Sequence, residues 1–201
     1  MRIGPKYKIA RRLGVPIFEK TQTPKYTLSL ARKEKSVIRR KKPLSEFGLS
    51  LIEKQKARFT YGLSEKQFRK YVDKALKTPV SAQTLFTLLE SRLDNVLFRS
   101  GLAKSRSQAR QIASHGHALV NGRRVTIPSV SLSEGDTVGL RDGSAQSPLF
   151  GEVTERMKVL TPPLWLELDP AAKTAKVTGA PVYAPAEHVF DLSVVIEFYN
   201  R

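Results

Sequence analysis

The sequence predicts an α+β protein: a basic extended N-terminal arm, a run of helices, and a short helix followed by an antiparallel hairpin and further short strands. Three observations carry this reading. Capped amphipathic patterns with the helical period run from residue 43 to Gly101. An Asn-Gly pair, Asn121-Gly122, separates two short apolar runs and is the strongest short signal for a two-residue hairpin turn. The positive charge, +17 over 201 residues, is concentrated towards one end.

Residues 1–42 carry a net +12, interrupted by Pro5, Pro16 and Pro24 and lacking a sustained apolar period. With so little apolar surface to bury, this arm is expected to be disordered alone and to order on an anionic partner. Its candidate contacts are Arg11, Arg12 and the run Arg39, Arg40, Lys41 and Lys42. Pro43 closes the run and three helices follow. Ser50 with Glu53 reads as a capping box, with Gly62 as the stop. Ser64 with Gln67 starts the second helix, whose apolar face is Phe68, Tyr71, Val72, Ala75 and Leu76. The third begins near Ser81 and carries Leu85, Leu88, Leu89, Leu93, Val96 and Leu97 as one stripe. On it Arg92 and Arg99, seven positions apart, share a face, while Glu90 and Asp94 read as exposed ion-pairing residues.

The segment "SRSQARQIASHGHALVNGRRV" is a short helix capped by Ser105, with Gln108 at the capping-box position, followed by the hairpin. Arg106 and Arg110 stand at i and i+4, and Arg123 and Arg124 follow the turn. "SEGDTVGLR" supplies a second turn and strand; beyond Gly143 lie strand-like pieces, "LWLEL" and "GAPVYAP". "DLSVVIEFYNR" reads as a final helix, with Val194, Val195 and Phe198 on one side.

Catalysis is hard to assemble from these residues. There is no cysteine, the histidines are His115, His117 and His188, and no phosphate-cradling or nucleophile-elbow motif occurs. His115 and His117 read as turn or strand residues rather than as a metal pair. No apolar run reaches the roughly 18 residues needed to cross a membrane. The expectation is therefore no enzyme activity, no cofactor and no metal, and the absence of cysteine suits a reducing cytoplasm.

Charge is the better guide. Residues 43–125 carry +9 and residues 126–201 carry −4, so a polyanion is expected to meet the first two thirds. Arginine binds phosphate through a planar fork of donors, and Arg106 at a helix N-terminus adds backbone N–H groups and the helix dipole. Folded together, these groups make a phosphate-binding ridge. No helix displays the base-reading side chains of a DNA recognition helix, and a rigid cationic ridge suits folded RNA.

"LLESRLDNVLFRSGLAKSRSQARQIASHGHALVNGRRV", Leu88 to Val125, resembles the helix-helix-hairpin RNA-binding module of the small-subunit ribosomal protein S-four family. "IGPKYKIARRLG", "KPLSEFGLSLIEKQKARFTYGLSEKQFRKY" and "WLELD" extend the resemblance over nearly the whole chain. Without cysteine the chain resembles the zinc-free type, and "LARKEKSVIRRKKP" stands where many relatives have Pro-Gly-x-His-Gly. Because the resemblance starts within the first few residues, a cleaved presequence is not expected.

The resemblance implies an arm over 1–42, a helical domain over 43–88 plus 185–201, in which Val194, Val195 and Phe198 pack on Phe68, Val72 and Ala75, and an α+β RNA-binding module with a small antiparallel sheet over 89–184. It implies a non-enzymatic protein of the cytoplasmic small subunit that binds the 5′ domain of its ribosomal RNA early in assembly. Expected neighbours are ribosomal proteins S-three and S-five and the messenger RNA near the channel by which it enters, with an influence on decoding fidelity. RNA contacts are expected from Arg92, Arg99, Lys104, Arg106, Arg110, Arg123 and Arg124, and from the arm's Arg11, Arg12, Arg39, Arg40, Lys41 and Lys42. The same module occurs in pseudouridine synthases, tRNA synthetases and small stress proteins. A free stress or ribosome-recycling factor is thus the alternative, although it leaves residues 43–77 unexplained.

Overall fold

A computed structural model of the chain describes residues 3–36 and 43–200. It divides into two compact units, Met1–Leu85 with Ala184–Arg201, and Phe86–Tyr183.

The first unit is helical, and its beginning departs from the expected extended arm. Lys6–Leu13 forms α1 and Pro24–Ser36 forms α2, joined by a single 3₁₀ turn at Glu19–Thr21. Gly14 ends α1 in the left-handed region, φ 75°, and its N–H closes onto the Ala10 carbonyl. Ala10, Phe18 and Tyr26 are buried together, and Phe18 meets Phe59 edge-on with ring centroids 6.1 Å apart. The apolar residues here are too sparse to set a helical period, yet they suffice for a small cluster on a neighbouring helix. Arg11 and Arg12 occupy the last turn of α1, where their charge opposes the negative end of the helix dipole. Arg39, Arg40, Lys41 and Lys42 lie outside the described residues.

Helix α3 spans Glu46–Thr60 and is capped by Ser45, whose Oγ accepts from the Gly48 N–H. The expected cap, Ser50, lies inside the helix and donates its hydroxyl to the Glu46 carbonyl. Helix α4, Glu65–Ala75, has the Ser64–Gln67 capping box and buries Phe68, Val72 and Ala75. The chain's final helix, α10 (Leu192–Asn200), returns to this unit, burying Leu192 and Val195. Its main support is α3 rather than the expected face of α4. Phe198 lies 5.4 Å from the Phe47 ring and beneath Lys54 Nζ, which is 4.9 Å above it. Asp191 N donates to Glu53 Oε2, and Tyr199 reaches α4, with its ring 6.3 Å from Phe68.

Tyr199 also donates its hydroxyl to Glu65 Oε1 at 2.6 Å, an oxygen shared with Lys54 Nζ at 2.9 Å. Burial opposes ionisation of Glu65, but the hydrogen bonds from Tyr199 and Lys54 and the charges of Lys54 and Arg58 outweigh it. The carboxyl is held below the usual glutamate range. Burial, then the Glu65 hydrogen bond and charge, push the Tyr199 hydroxyl well above the usual tyrosine range.

The second unit is α+β. It holds the second half of α5 (Ser81–Glu90), then α6 (Leu93–Arg99) and α7 (Arg106–Ser114), and the strands β1 (Ala118–Val120), β2 (Arg123–Arg124) and β3 (Thr137–Leu140). Helices α8 (Asp142–Ala145) and α9 (Val153–Val159) follow, then β4 (Leu166–Asp169) and β5 (Thr174–Val177). The five strands form one antiparallel sheet in the order β2-β1-β3-β5-β4. Leu97, Ile112, Val138, Phe150, Met157 and Trp165 are among the side chains of its core. "GAPVYAP" forms no strand, whereas "VTERMKV" is α9, a helix too short to show a period in the sequence.

Two predictions concern the helical unit. Leu192→Ala should lower its unfolding free energy by about 2–5 kcal/mol, because a fully buried leucine leaves a cavity; urea unfolding followed at α3 amides measures this. A carboxylate whose folded pKa is depressed contributes stability present above its unfolded value, about 4.3, and lost as pH falls through the folded value. Stability of this unit should therefore decline as pH falls below the unfolded glutamate value, about 4.3, and Glu65→Gln should flatten that decline. The same unfolding measured across the acid range tests it.

Candidate nucleic-acid interface

The arginine-rich stretch is organised by two buried acids. The stripe expected to form one helix is broken: α5 ends at Glu90 and α6 starts at Leu93, with Arg92 extended at φ −67°, ψ 140°. The break is held by main-chain pairing with residues 128–132. Leu93 N donates to the Val130 carbonyl, Asp94 N to that of Pro128, and Leu132 N to that of Ser91. Breaking the helix turns Glu90 and Asp94 inward, to 1% and 2% exposure, rather than outward to solvent as ion-pairing surface residues.

Each acid collects two arginines. Glu90 accepts from Arg99 Nε at 2.9 Å and Nη2 at 3.0 Å, and Arg106 Nη2 lies 3.8 Å away. Asp94 accepts from Arg92 Nε at 3.0 Å and Nη2 at 2.7 Å, and from Arg110 Nε at 2.9 Å and Nη2 at 2.7 Å. Asn95 links the two helices: its amide nitrogen donates to Glu90 Oε2 and its amide oxygen accepts from Arg106 Nε at 2.7 Å. The Arg106 guanidinium also lies 4.5 Å from the Phe98 ring centroid, within cation–π range.

The seven module residues expected at the interface therefore fall into groups. Arg92, 4% exposed, is interior, and its guanidinium is committed to Asp94; it is not on the helix face it was expected to share with Arg99. Arg99, Arg106 and Arg110 are partly exposed along α6 and α7, each tied down on its inner edge. Lys104 pairs with Glu152 at 2.6 Å, and this hydrogen bond and charge hold the Glu152 carboxyl below its usual range. Arg123 and Arg124 form the exposed strand β2.

Helix α7 begins as the sequence specifies, with Ser105 Oγ accepting from Gln108 N, although Gln108 Oε1 accepts from Lys104 N rather than from the cap residue. The hairpin turn places Asn121 at φ 51° and Gly122 at φ 75°, and Asn121 is clamped to Asp136 and Thr137 by its side-chain amide. Successive strand residues face opposite sides. Arg124 folds back onto the C-terminal end of α7, donating to the His115 carbonyl, where only a glycine at 116 leaves room for its guanidinium. His117, bonded to Ser144 through Nδ1, has its pKa lowered by burial and then by the charges of His115, Arg141 and Arg124. The whole edge is thus cationic. Among the described residues there is no cluster of metal-ligating side chains and no helix long and apolar enough to cross a membrane.

Comparison with known proteins adds the family. Residues 1–90 match the ribosomal protein S4/S9 N-terminal domain, and residues 91–138 match the S4 domain. The small ribosomal subunit protein uS4 of Halothermothrix orenii is 42% identical over 98% of both chains. That of Aquifex aeolicus is 41% identical over 99% of this chain and 98% of its own. The chain belongs to the ribosomal protein S4 family. The S4 family is one of structural proteins and not of enzymes. Its S4 domain match covers α6, α7, the β1–β2 hairpin and the segment that holds the helix break. Sequence reasoning read the acids at the centre of this arrangement as ion-pairing residues but placed them on the exposed surface instead of in the interior. The available signal was two carboxylates set within a leucine stripe beside four arginines.

Asp94→Ala should destabilise this unit by about 3–5 kcal/mol, because it leaves the Arg92 charge buried without its partner. Arg123→Ala, at an exposed position, should change stability by no more than about 0.5 kcal/mol. Amide exchange of the β3 and α7 core compares the two.

Proposed function

We propose that this chain is an RNA-binding protein of the cytoplasmic small ribosomal subunit. It binds the 5′ domain of small-subunit ribosomal RNA early in assembly and nucleates the folding of that domain. The observation that carries this reading is the set of arginines held at fixed spacing on one α+β unit, within the residues that match the S4 domain. Arg99, Arg106 and Arg110 along α6 and α7, Lys104 before α7, and Arg123 and Arg124 on β2 are the proposed phosphate ligands. Arg92 supports them from the interior. Arg11, Arg12 and the run Arg39, Arg40, Lys41 and Lys42 are the proposed contacts of the helical unit and its flanking segment. A rigid array of guanidinium groups recognises the spacing of phosphates along folded RNA without reading base edges.

The finer roles follow the family resemblance. They are neighbours S-three and S-five, proximity to messenger RNA where it enters the ribosome, and an influence on decoding fidelity. The charge distribution supports this division, since the last third, at −4, is the part suited to meet protein.

The double variant Arg123→Ala/Arg124→Ala should bind a transcript of the 5′ domain less tightly. Its log–log salt slope should be smaller by roughly 1.5, from about 0.7–0.9 per lost phosphate contact. Filter binding across a salt series measures it, and an unchanged slope removes β2 from the interface. Sedimentation of a cell lysate separates this reading from a free stress or recycling factor: stoichiometric migration with small subunits supports the proposal, and a free pool opposes it.

A further inference from the structure

The arginines of α6 and α7 are unusual phosphate ligands, because their inner edges are already spent on carboxylates. We propose that Glu90 is a positioning residue for the RNA interface: a buried carboxylate, itself out of reach of RNA, that fixes Arg99 and Arg106 in their binding orientation. The inference rests on the reading that this unit binds RNA.

Glu90 is 1% exposed at the C-terminal end of α5 and cannot touch a phosphate. It acts in two directions. Arg99 is gripped side-on by both carboxylate oxygens, which fixes the plane of its guanidinium while leaving the side chain 30% exposed. Arg106 is reached through Asn95. Glu90 Oε2 accepts from the Asn95 amide nitrogen at 2.8 Å, as the Glu90 carbonyl does at 3.0 Å, and this dictates which end of the amide faces outward. The amide oxygen is thereby aimed at Arg106 Nε, 2.7 Å away, and the Phe98 ring closes the other side of that guanidinium. A free arginine loses much rotamer freedom when it grips a phosphate. Here the loss is taken at folding instead of at binding.

The electrostatic and the positioning roles predict opposite signs. Glu90→Gln removes a negative charge from beside the phosphate sites, so Coulomb attraction alone makes the variant bind RNA more tightly. Its amide also presents a donor where Glu90 offers only acceptors: a single oxygen cannot grip Arg99 with both atoms, and when that oxygen serves Asn95 the amide nitrogen faces the Arg99 and Arg106 guanidinium groups. Positioning therefore predicts weaker binding, by about tenfold, since two side chains must then be ordered at the RNA.

The full-length protein and its Glu90→Gln variant would be titrated with a transcript of the 5′ domain, folding being checked by circular dichroism. Weaker binding by the folded variant supports the proposal; equal or tighter binding overturns it. A second measurement needs no variant: side-chain NMR of the free wild-type protein. Arg99 and Arg106 Nε–H protons that exchange far more slowly than that of Arg123 support pre-positioning, and equally fast exchange overturns it. Failure of the wild-type protein to bind the transcript would instead sink the proposed function, while the exchange comparison still decides whether the arginines are held.

Discussion

Two carboxylates buried under four arginines are the constraint on which the α+β unit depends. Removing a carboxylate from water is costly, and only close, well-hydrogen-bonded partners offset it. Asp94 is hydrogen-bonded by Arg92 and Arg110 at 2.7 Å, and Glu90 by Arg99 at 2.9 Å and Asn95 at 2.8 Å, with the Arg106 charge 3.8 Å away. The geometry that supplies them is the break between α5 and α6, which places one acid at the end of a helix and the other in the first turn of the next. Asp94 there also meets the positive end of the helix dipole. The break exists because residues 128–132 take up the main-chain groups that a continuous helix would have paired. Backbone pairing, helix break, buried acids and arginine edge are consequently one mechanical system.

Much of the architecture was legible in the residues. Ser64 with Gln67, Ser105, Asn121-Gly122 and the apolar runs of α4 and α7 act locally, and local signals survive translation into structure. What escaped notice depends on partners distant in the chain. The α5–α6 stripe satisfies the helical period throughout, and its interruption is imposed from residues 128–132, about forty positions away. Ser50 looked like a cap because Glu53 follows at the right spacing, but Ser45 had already started the helix one turn earlier. The N-terminal helices rest on a few apolar side chains, Ala10, Phe18 and Tyr26, that find Phe59 on α3.

The candidate site was legible in composition but not in arrangement. Sequence proposes Arg99, Lys104, Arg106, Arg110, Arg123 and Arg124 as contacts by chemistry and clustering, and the structure leaves each of them partly or fully exposed. It could not tell an arginine that faces water from one that serves the interior, and Arg92 is of the second kind. Nor could it see that Glu90 and Asp94, which read as exposed ion-pairing residues, are buried beneath the arginines they hold. The helical unit shows the same economy on a smaller scale, with Tyr199, Lys54 and Arg58 gathered on Glu65.

The return of α10 to α3 has a temporal consequence during synthesis. The Glu53–Asp191 hydrogen bond joins positions 138 residues apart. At roughly 5–20 residues per second, α3 waits on the order of ten seconds for the helix that covers it. During that interval Phe47 lacks its Phe198 neighbour, and the whole α+β unit is made before α10. The nascent chain therefore finishes its α+β unit first, and the helical unit stays an incomplete surface, open to chaperones, until α10 is made.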